Sequence, residues 1–364
     1  MPPLRALSSQ FVLLMFARVA MAQYTIVPVD SCTVASDAAF VNRHGVIAVS
    51  CEVPSGNPEF SPAAAPSIVG RFGVRALPLP DGVVSASVRG INARQQVIAV
   101  SIYPGPGGAL LLSRRRAIDL GSLGGGWSDP RGLNDWGWVV GFSGTADDSI
   151  HAFLWRHGKM RDLGTFGAKQ SMAEAINNRG QIVLNRAFET NGEWQTVSAI
   201  LSGERLLEIP PLEGRNMMGL GINEHGHVVG VGFRLGDATF PTEHGFFYHD
   251  GQVDDILVGA DFLWSAVVDT SINDHDQIAG TWYHYFDAEE AYGGFLYENG
   301  APVNLQGLLP PDSGWLLRTA NSINNAGQIS GMGYFEGGLR AYLMTPVTRN
   351  SFKSSPARRA DDRR

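Results

Sequence analysis

The chain has 364 residues, of which 44% are hydrophobic and 17% are charged, with 44 glycines and 20 prolines. This composition is too apolar for a disordered protein, and its low charge and many glycines favour short strands joined by turns over helices. The net charge of −7 gives no support to nucleic-acid binding. No apolar run reaches the roughly 18 residues of a membrane-spanning helix, so no span is expected.

The first 22 residues have the three parts of a secretory signal peptide. Arg5 supplies the positive charge, Phe11 to Phe16 form the apolar core, and Ala20 to Ala22 make a small-x-small cleavage site. Arg18 interrupts the apolar stretch, and a disordered N-terminus is the alternative. The sequence therefore predicts a signal peptide over residues 1–22 and a secreted or periplasmic protein.

One short pattern recurs seven times along the chain. Its clearest copy runs from Gly221 to Gly230 and reads as a strand end, a tight turn and a returning strand. The asparagines that open the seven turns are Asn42, Asn92, Asn134, Asn177, Asn223, Asn273 and Asn324. Repeats of about 40–50 residues are typical of propellers and repeat arrays.

The residue types of the pattern suit a hairpin. Asparagine starts a turn because its short side chain can bond nearby backbone groups. The glycine three residues later tolerates the positive φ of a hairpin loop with a bulge, and β-branched residues then start the returning strand. Gln95 and Asp276 stand where glycine is expected, so these two turns should be strained or of another type.

Each repeat contains four short strands, called A to D. In the fourth repeat A is Ala173 to Asn177 and B is Gln181 to Leu184, whereas in the third C is His151 to Trp155 and D is Met160 to Gly164. Four strands in a unit of this length make one propeller blade. No segment has helical periodicity over a dozen residues.

The two ends of the repeat region complement each other. The seventh repeat stops after its C strand at Met344, and Tyr24 to Val29 reads as a D strand without a blade of its own. Pairing them would close a ring and remove two exposed strand edges. The sequence thus predicts an all-β, seven-bladed propeller of four-stranded blades, a single domain over residues 23–347, closed by strand 24–29, with a disordered tail over 348–364.

Three motifs resemble those of the HAF-repeat family of probable extracellular bacterial proteins. They are Leu133 to Gly141, the His-Ala-Phe-Leu-Trp of His151 to Trp155, and Met160 to Gly167. The resemblance spans about residues 24–346 and is weakest in the first repeat. It implies an exported repeat protein without assigned chemistry, and it supplies no catalytic residues.

The only two cysteines, Cys32 and Cys51, both fall in the first repeat. In an exported protein they can form a disulfide, and two buried small apolar side chains are the alternative. Their spacing has no partner histidines and does not predict a zinc site.

No nucleophile elbow, P-loop, dinucleotide motif or zinc spacing is present. Asp274-His275-Asp276 has the composition of half a metal site, but its place in a turn favours a structural role. His151 and His244 begin C strands, where packing or turn bonds are expected rather than catalysis. The sequence therefore predicts no catalytic residue, no metal and no cofactor.

The variable B–C loops and the D–A loops share one face of a propeller, and binding residues usually lie on variable loops. Polar and aromatic residues on these loops are our candidates for a ligand-binding face. They are Trp127, Asp129, Gln170, Arg215, Asp261, Phe262, Tyr283, His284, Tyr285 and Trp315. Plugging of the channel and a solvated loop are the alternatives for these residues.

The function expected from these observations is that of a secreted, monomeric, non-enzymatic binding module. Its ligand would be a polysaccharide or a surface protein held on the variable-loop face. One alternative is a propeller hydrolase or lyase that uses carboxylates and histidine on the same face. A structural component of an envelope or matrix is the other alternative.

Overall fold

The computed structural model describes residues 23–29, 34–53, 63–71, 73–103, 107–233, 243–256, 265–284 and 292–347. Within these ranges the strands form seven antiparallel sheets, one for each repeat. The sheets are the blades of a seven-bladed β-propeller, as the sequence predicted. A four-residue 3₁₀ helix, Leu305–Leu308, follows the sixth blade.

The blades are given in chain order, each from strand A outward. The first contains β2 Val34–Val41, β3 Ile47–Val53, β4 Ala63–Gly70 and β5 Gly73–Ala76. The second contains β6 Ser85–Ile91, β7 Val97–Tyr103, β8 Ala109–Ser113 and β9 Arg116–Asp119. The third contains β10 Gly124–Leu133, β11 Val139–Thr145, β12 Ile150–Arg156 and β13 Lys159–Gly164.

The fourth blade contains β14 Gln170–Ile176, β15 Gln181–Thr190, β16 Glu193–Ser202 and β17 Arg205–Glu208. The fifth contains β18 Asn216–Ile222, β19 Val228–Phe233, β20 His244–His249 and β21 Gln252–Asp255. The sixth contains β22 Ser265–Ile272, β23 Ile278–His284, β24 Tyr292–Glu298 and β25 Ala301–Asn304. The seventh contains β26 Leu316–Leu317, β27 Ser322–Ile323, β28 Ile329–Phe335, β29 Gly338–Pro346 and β1 Tyr24–Pro28.

The C strands are apolar on both faces because each blade is packed between two others. In β12, Phe153 lies in the core shared with the second blade, and Leu154 lies in the core shared with the fourth. Both side chains are buried. The core of the protein is thus a series of layers between blades, which explains why the repeats need one another for stability.

The N-terminal strand closes the ring. β1 pairs antiparallel with β29 and places Ile26 opposite Met344 and Val27 opposite Leu343. Tyr24 is buried in the core between the sixth and seventh blades. Burial, and secondarily Glu298, raises the pKa of its hydroxyl to about 12. The predicted closure is therefore confirmed.

The seven A–B turns share one geometry. In the first blade the N–H of Gly45 donates to the carbonyl of Asn42, and the N–H of Asn42 donates to the carbonyl of Val46. Gln95 and Asp276 make the same turn bond and adopt φ of 59° and 58°. Strain was expected here, or another turn type. The turn type is unchanged, and strain is found, since these residues adopt the left-handed conformation that glycine adopts elsewhere.

The seven repeated asparagines form a closed ring of hydrogen bonds around the propeller axis. Nδ2 of each donates to the backbone carbonyl of the corresponding asparagine in the next blade, at 2.9 to 3.2 Å. The last link joins Asn324 to Asn42. Each Oδ1 accepts the N–H groups of the second and fourth following residues. One side chain thus shapes its own turn and ties it to its neighbour.

Several predictions concern residues outside the described ranges. They are the signal peptide over 1–22, the tail beyond 347 and Cys32, and they stay predictions. Cys51 is buried and disulfide-bonded. None of the helices in the described residues has the length and apolar character needed to span a membrane.

Replacing the tyrosine that anchors the closing strand should destabilise the ring. Tyr24 is 5% exposed whereas Val27 on the same strand is 53% exposed. We expect Tyr24→Ala to lower the free energy of unfolding by about 3–5 kcal/mol, because the change leaves a large cavity. Val27→Ala should change it by no more than about 0.5 kcal/mol. Urea unfolding of both variants measures this, and equal midpoints would contradict closure through Tyr24.

Candidate functional site

The structure places several of the predicted ligand-face residues within strands rather than loops. Trp127 and Asp129 lie in β10, and Gln170 is the first residue of β14. Trp127 contacts the ring of Phe142 edge-on, and Asp129 pairs with Arg89 of the second blade at 3.5 Å. Their assignment to D–A loops is therefore wrong, because the A strands extend further than the sequence pattern showed.

The remaining candidates on this face have structural contacts. Trp315 is buried and stacks on Phe335 with centroids 4.7 Å apart. Arg215 forms an ion pair with Glu213 at 3.5 Å.

The aromatic cluster of the sixth blade is only partly described. Tyr283 and His284 belong to β23 rather than to the B–C loop, and the Tyr283 hydroxyl donates to Glu243 at 2.7 Å. Asp261, Phe262 and Tyr285 lie outside the described residues. The B–C and D–A face therefore stays a prediction as a ligand-binding surface.

Two histidine–aspartate pairs lie on this same face, and they belong to the repeat itself. His151 pairs with Asp162 at 2.9 Å and His244 pairs with Asp255 at 2.5 Å. In both blades the histidine begins strand C and the aspartate lies on strand D. The same pair at equivalent positions of two blades indicates a cross-strand bond of the His-Ala-Phe and Asp-Leu-Gly motifs, as expected for a packing role.

The opposite face carries the A–B and C–D turns, and its boundaries between blades follow a rule. At five of the seven boundaries, here called seams, the turn glycine of one blade faces the residue that follows the turn position of the preceding blade. A Cβ on Gly137 would lie 3.1 Å from Oε1 of Gln96, and one on Gly226 would lie 3.3 Å from Nε2 of Gln181. The usual seam is thus glycine against glutamine.

The glutamine of this usual seam also serves the asparagine ring. In four blades its Oε1 accepts a second hydrogen bond from Nδ2 of the ring asparagine of its own turn, at 2.8 to 2.9 Å. In the fourth blade these two residues are Asn177 and Gln181. Where glutamine is present, Nδ2 of the asparagine therefore donates two hydrogen bonds, one to the next blade and one to the glutamine.

Two seams lack both the glycine and the glutamine. The first–second seam has Val46 and Gln95, and the fifth–sixth seam has an ionisable pair. His227 replaces glutamine and Asp276 replaces glycine. Nδ1 of His227 lies 2.8 Å from Oδ1 of Asp276, and the same Oδ1 accepts Nδ2 of Asn223 at 2.7 Å. Asp276 thus supplies the acceptor that glutamine supplies elsewhere, and it also orients a histidine. The two departures are coupled and form a histidine–carboxylate pair.

This pair has the arrangement of a general base and its orienting acid. A carboxylate only accepts hydrogen bonds, so Nδ1 of His227 donates and Nε2 is left as the basic nitrogen. Nε2 has no hydrogen-bond partner within the part of the chain that the structure describes. Asp276 holds this position with a positive φ, as Gln95 does in the equivalent turn of the second blade.

Two further histidines surround His227. The ring centroids of His225 and His249 lie 5.7 and 6.0 Å from that of His227. Nε2 of His249 lies 2.8 Å from Oδ2 of Asp254. This hydrogen bond raises the pKa of His249 above its ordinary value of 6.5, against the opposing effect of burial. Among the described residues, no group of three or more side chains is arranged to hold a metal ion.

A cleft of about 400 Å³ opens beside this cluster between the fourth and fifth blades. His225 and His227 line one side, with Asp250. Ser202 and Arg205 line the other. A substrate in this cleft would meet the hydroxyl of Ser202 and the guanidinium of Arg205, next to the turn that carries His227, whose ring faces the sixth blade. The sequence prediction missed the site because it treated Asp276 as an irregular turn and did not align His227 with the glutamines.

Among solved structures, the chain is similar in fold to the β-propeller domain of the Trilobed protease from Pyrococcus furiosus. The identity is 11%, the TM-score is 0.58, and the match covers 86% of this chain and 96% of that domain. That domain has an open velcro topology, whereas here β1 and β29 close the ring. No family model and no curated protein matches the sequence.

The chain is also similar to the acylaminoacyl peptidase of Pyrococcus horikoshii. Its orthorhombic crystal form matches at 11% identity and a TM-score of 0.55, over 87% of this chain and 52% of that one. The uncomplexed form matches at 12% identity and a TM-score of 0.50, over 74% and 44%. The chain thus spans about half the length of this peptidase. At these identities the similarity shows the fold alone.

These matches correct the expected function. A non-enzymatic module for a polysaccharide or surface protein was expected, but the matching propellers belong to peptidases. That prediction is therefore wrong.

The raised pKa of His249 predicts a pH dependence of stability. Protonated His249 is favoured in the folded state, so its bond to Asp254 stabilises most below pH 6.5 and is lost as pH rises through the raised pKa. We expect Asp254→Asn to destabilise the protein more at about pH 5.5 than at about pH 9, with a modest effect because the pair is partly exposed. Urea midpoints at both pH values measure this, with Asp81→Asn as control. An equal loss at both would contradict it.

Proposed function

We propose that the protein is a propeller hydrolase whose general base is His227, oriented by Asp276. The observation that carries the proposal is the coupled departure of the fifth–sixth seam from the repeat, which creates a histidine–carboxylate pair at 2.8 Å beside a polar cleft. The fold similarity to propellers of peptidases supports a hydrolytic role. The site lies on the face opposite to the one the sequence favoured.

The proposed reaction is hydrolysis of an acyl bond, in an ester or an amide. Nε2 of His227 takes a proton from water, whose oxygen attacks the acyl carbon. Collapse of the tetrahedral intermediate breaks the bond to the leaving group, and His227 returns the proton to that group. Asp276 stabilises the transient imidazolium.

Export belongs to the same proposal. Cys51 is disulfide-bonded, and structural disulfides persist in oxidising compartments. Together with the signal-like residues 1–22, this supports an extracytoplasmic hydrolase built from HAF-type repeats. Secretion of the full-length chain, followed by sequencing of the mature N-terminus, tests this part independently.

Restoring the usual seam should remove activity without harming the fold. We expect the double variant His227→Gln with Asp276→Gly to fold at least as stably as the wild type, since it rebuilds the glycine–glutamine seam and relieves the positive φ. Its kcat/KM on p-nitrophenyl acyl esters and N-acyl amino acid anilides should fall by about 10²–10⁴-fold, the usual contribution of a general base.

The control for this experiment is the pair on the other face. His151→Gln removes an equally close histidine–aspartate bond and should leave turnover unchanged. Turnover by the wild type no faster than the buffer reaction, or full activity in the double variant, would contradict the proposal.

A further inference from the structure

The seam between the third and fourth blades contains a second cleft, of about 430 Å³, on the same A–B and C–D face. Three arginines line it, Arg156 and Arg161 of the third blade and Arg179 of the fourth. All three are exposed. One carboxylate, Glu204, also lines the cleft, but no ion pair joins any of the three arginines to an acid among the described residues. In a chain of net charge −7, three such guanidinium groups around one cleft mark a site for an anion.

The cleft also has aromatic walls. Trp138 occupies the position that is glutamine at the usual seam, and the Arg156 guanidinium lies 5.1 Å from its ring centroid. Phe166 lines the cleft, is 38% exposed and has a φ of 52°. A bulky residue rarely adopts such a φ, and here the strain accompanies an aromatic ring that stays in contact with solvent.

The comparable clefts at other seams lack this combination. Between the first and second blades, Val46 stands where Trp138 stands here, and the arginines are Arg71 and Arg75. Between the fourth and fifth blades, Gln181 takes that place, and Arg205 is the only arginine that lines the cleft among the described residues. The fold therefore makes a groove at these three seams, and among them the third–fourth seam joins aromatic walls to three arginines.

We propose that this cleft binds a small organic anion with a planar apolar body and one oxyanion group, such as a sulfonate, phosphate ester or carboxylate. The ring would lie against Trp138 and Phe166, and the oxyanion would pair with Arg161 and Arg179, whose planar forks suit bidentate contacts. The cleft volume lies in the usual range of ligand pockets, about 300–1,000 Å³. This site is independent of the proposed hydrolysis, since His227 does not line it.

Calorimetric titration of the full chain with 2-naphthalenesulfonate tests the proposal. We expect saturable binding to the wild type and weaker binding, by about three- to tenfold, to Arg161→Gln and to Arg179→Gln, since each removes one charged contact. Trp138→Leu should weaken binding of the naphthalenesulfonate but not of inorganic sulfate. Parallel titrations with 2-naphthyl phosphate and 2-naphthoate identify the preferred oxyanion.

Arg116→Gln is the matched control, because Arg116 is an exposed arginine of the same face that does not line the cleft. Its affinity should equal that of the wild type. Absence of saturable binding by the wild type, equal affinities in the arginine variants, or equally tight binding of neutral 2-naphthalenemethanol would each overturn the proposal. The arginines are exposed, so their replacement should leave the melting temperature unchanged and the comparison valid.

Discussion

The ring of seven asparagines is the interaction on which the rest of this structure depends. Each amide donates to the carbonyl of the next blade and closes its own turn through two accepted N–H groups. The asparagines are 3 to 5% exposed, so their polar atoms could not exchange these bonds for water without cost. A repeat that lost its asparagine would lose both its turn and its registration with the neighbouring blade.

The same constraint explains how a repeat can place two reactive side chains next to each other. The ring fixes the position of every A–B turn. At each seam, the glycine position of one turn therefore faces the residue that follows the glycine position of the preceding turn. Glutamine and glycine fill that place in the usual seam, whereas His227 and Asp276 fill it between the fifth and sixth blades. Asp276 still serves Asn223, so the ring is kept while a base is introduced.

The sequence predicted the fold well because the fold is periodic. The seven asparagines, the His-Ala-Phe and Asp-Leu-Gly strands and the unpaired strand from Tyr24 fix blade number and closure. The site was harder to predict from the sequence. Contacts between blades join residues about 50 positions apart, which come together only when the ring of blades has formed. The sequence shows Asp276 as a missing glycine, but its partner His227 is recognised only when the position after the glycine is aligned in every repeat.

The most direct measurement is the stability of a protein in which one ring donor becomes an acceptor of the same shape. Asn177→Asp places an oxygen opposite the carbonyl of Asn223 and the Oε1 of Gln181. We expect a loss of about 2–4 kcal/mol in the free energy of unfolding near neutral pH, and no more than about 0.5 kcal/mol for the exposed Asn191→Asp of the same blade. Equal urea midpoints for the two variants would contradict a ring that holds the blades together.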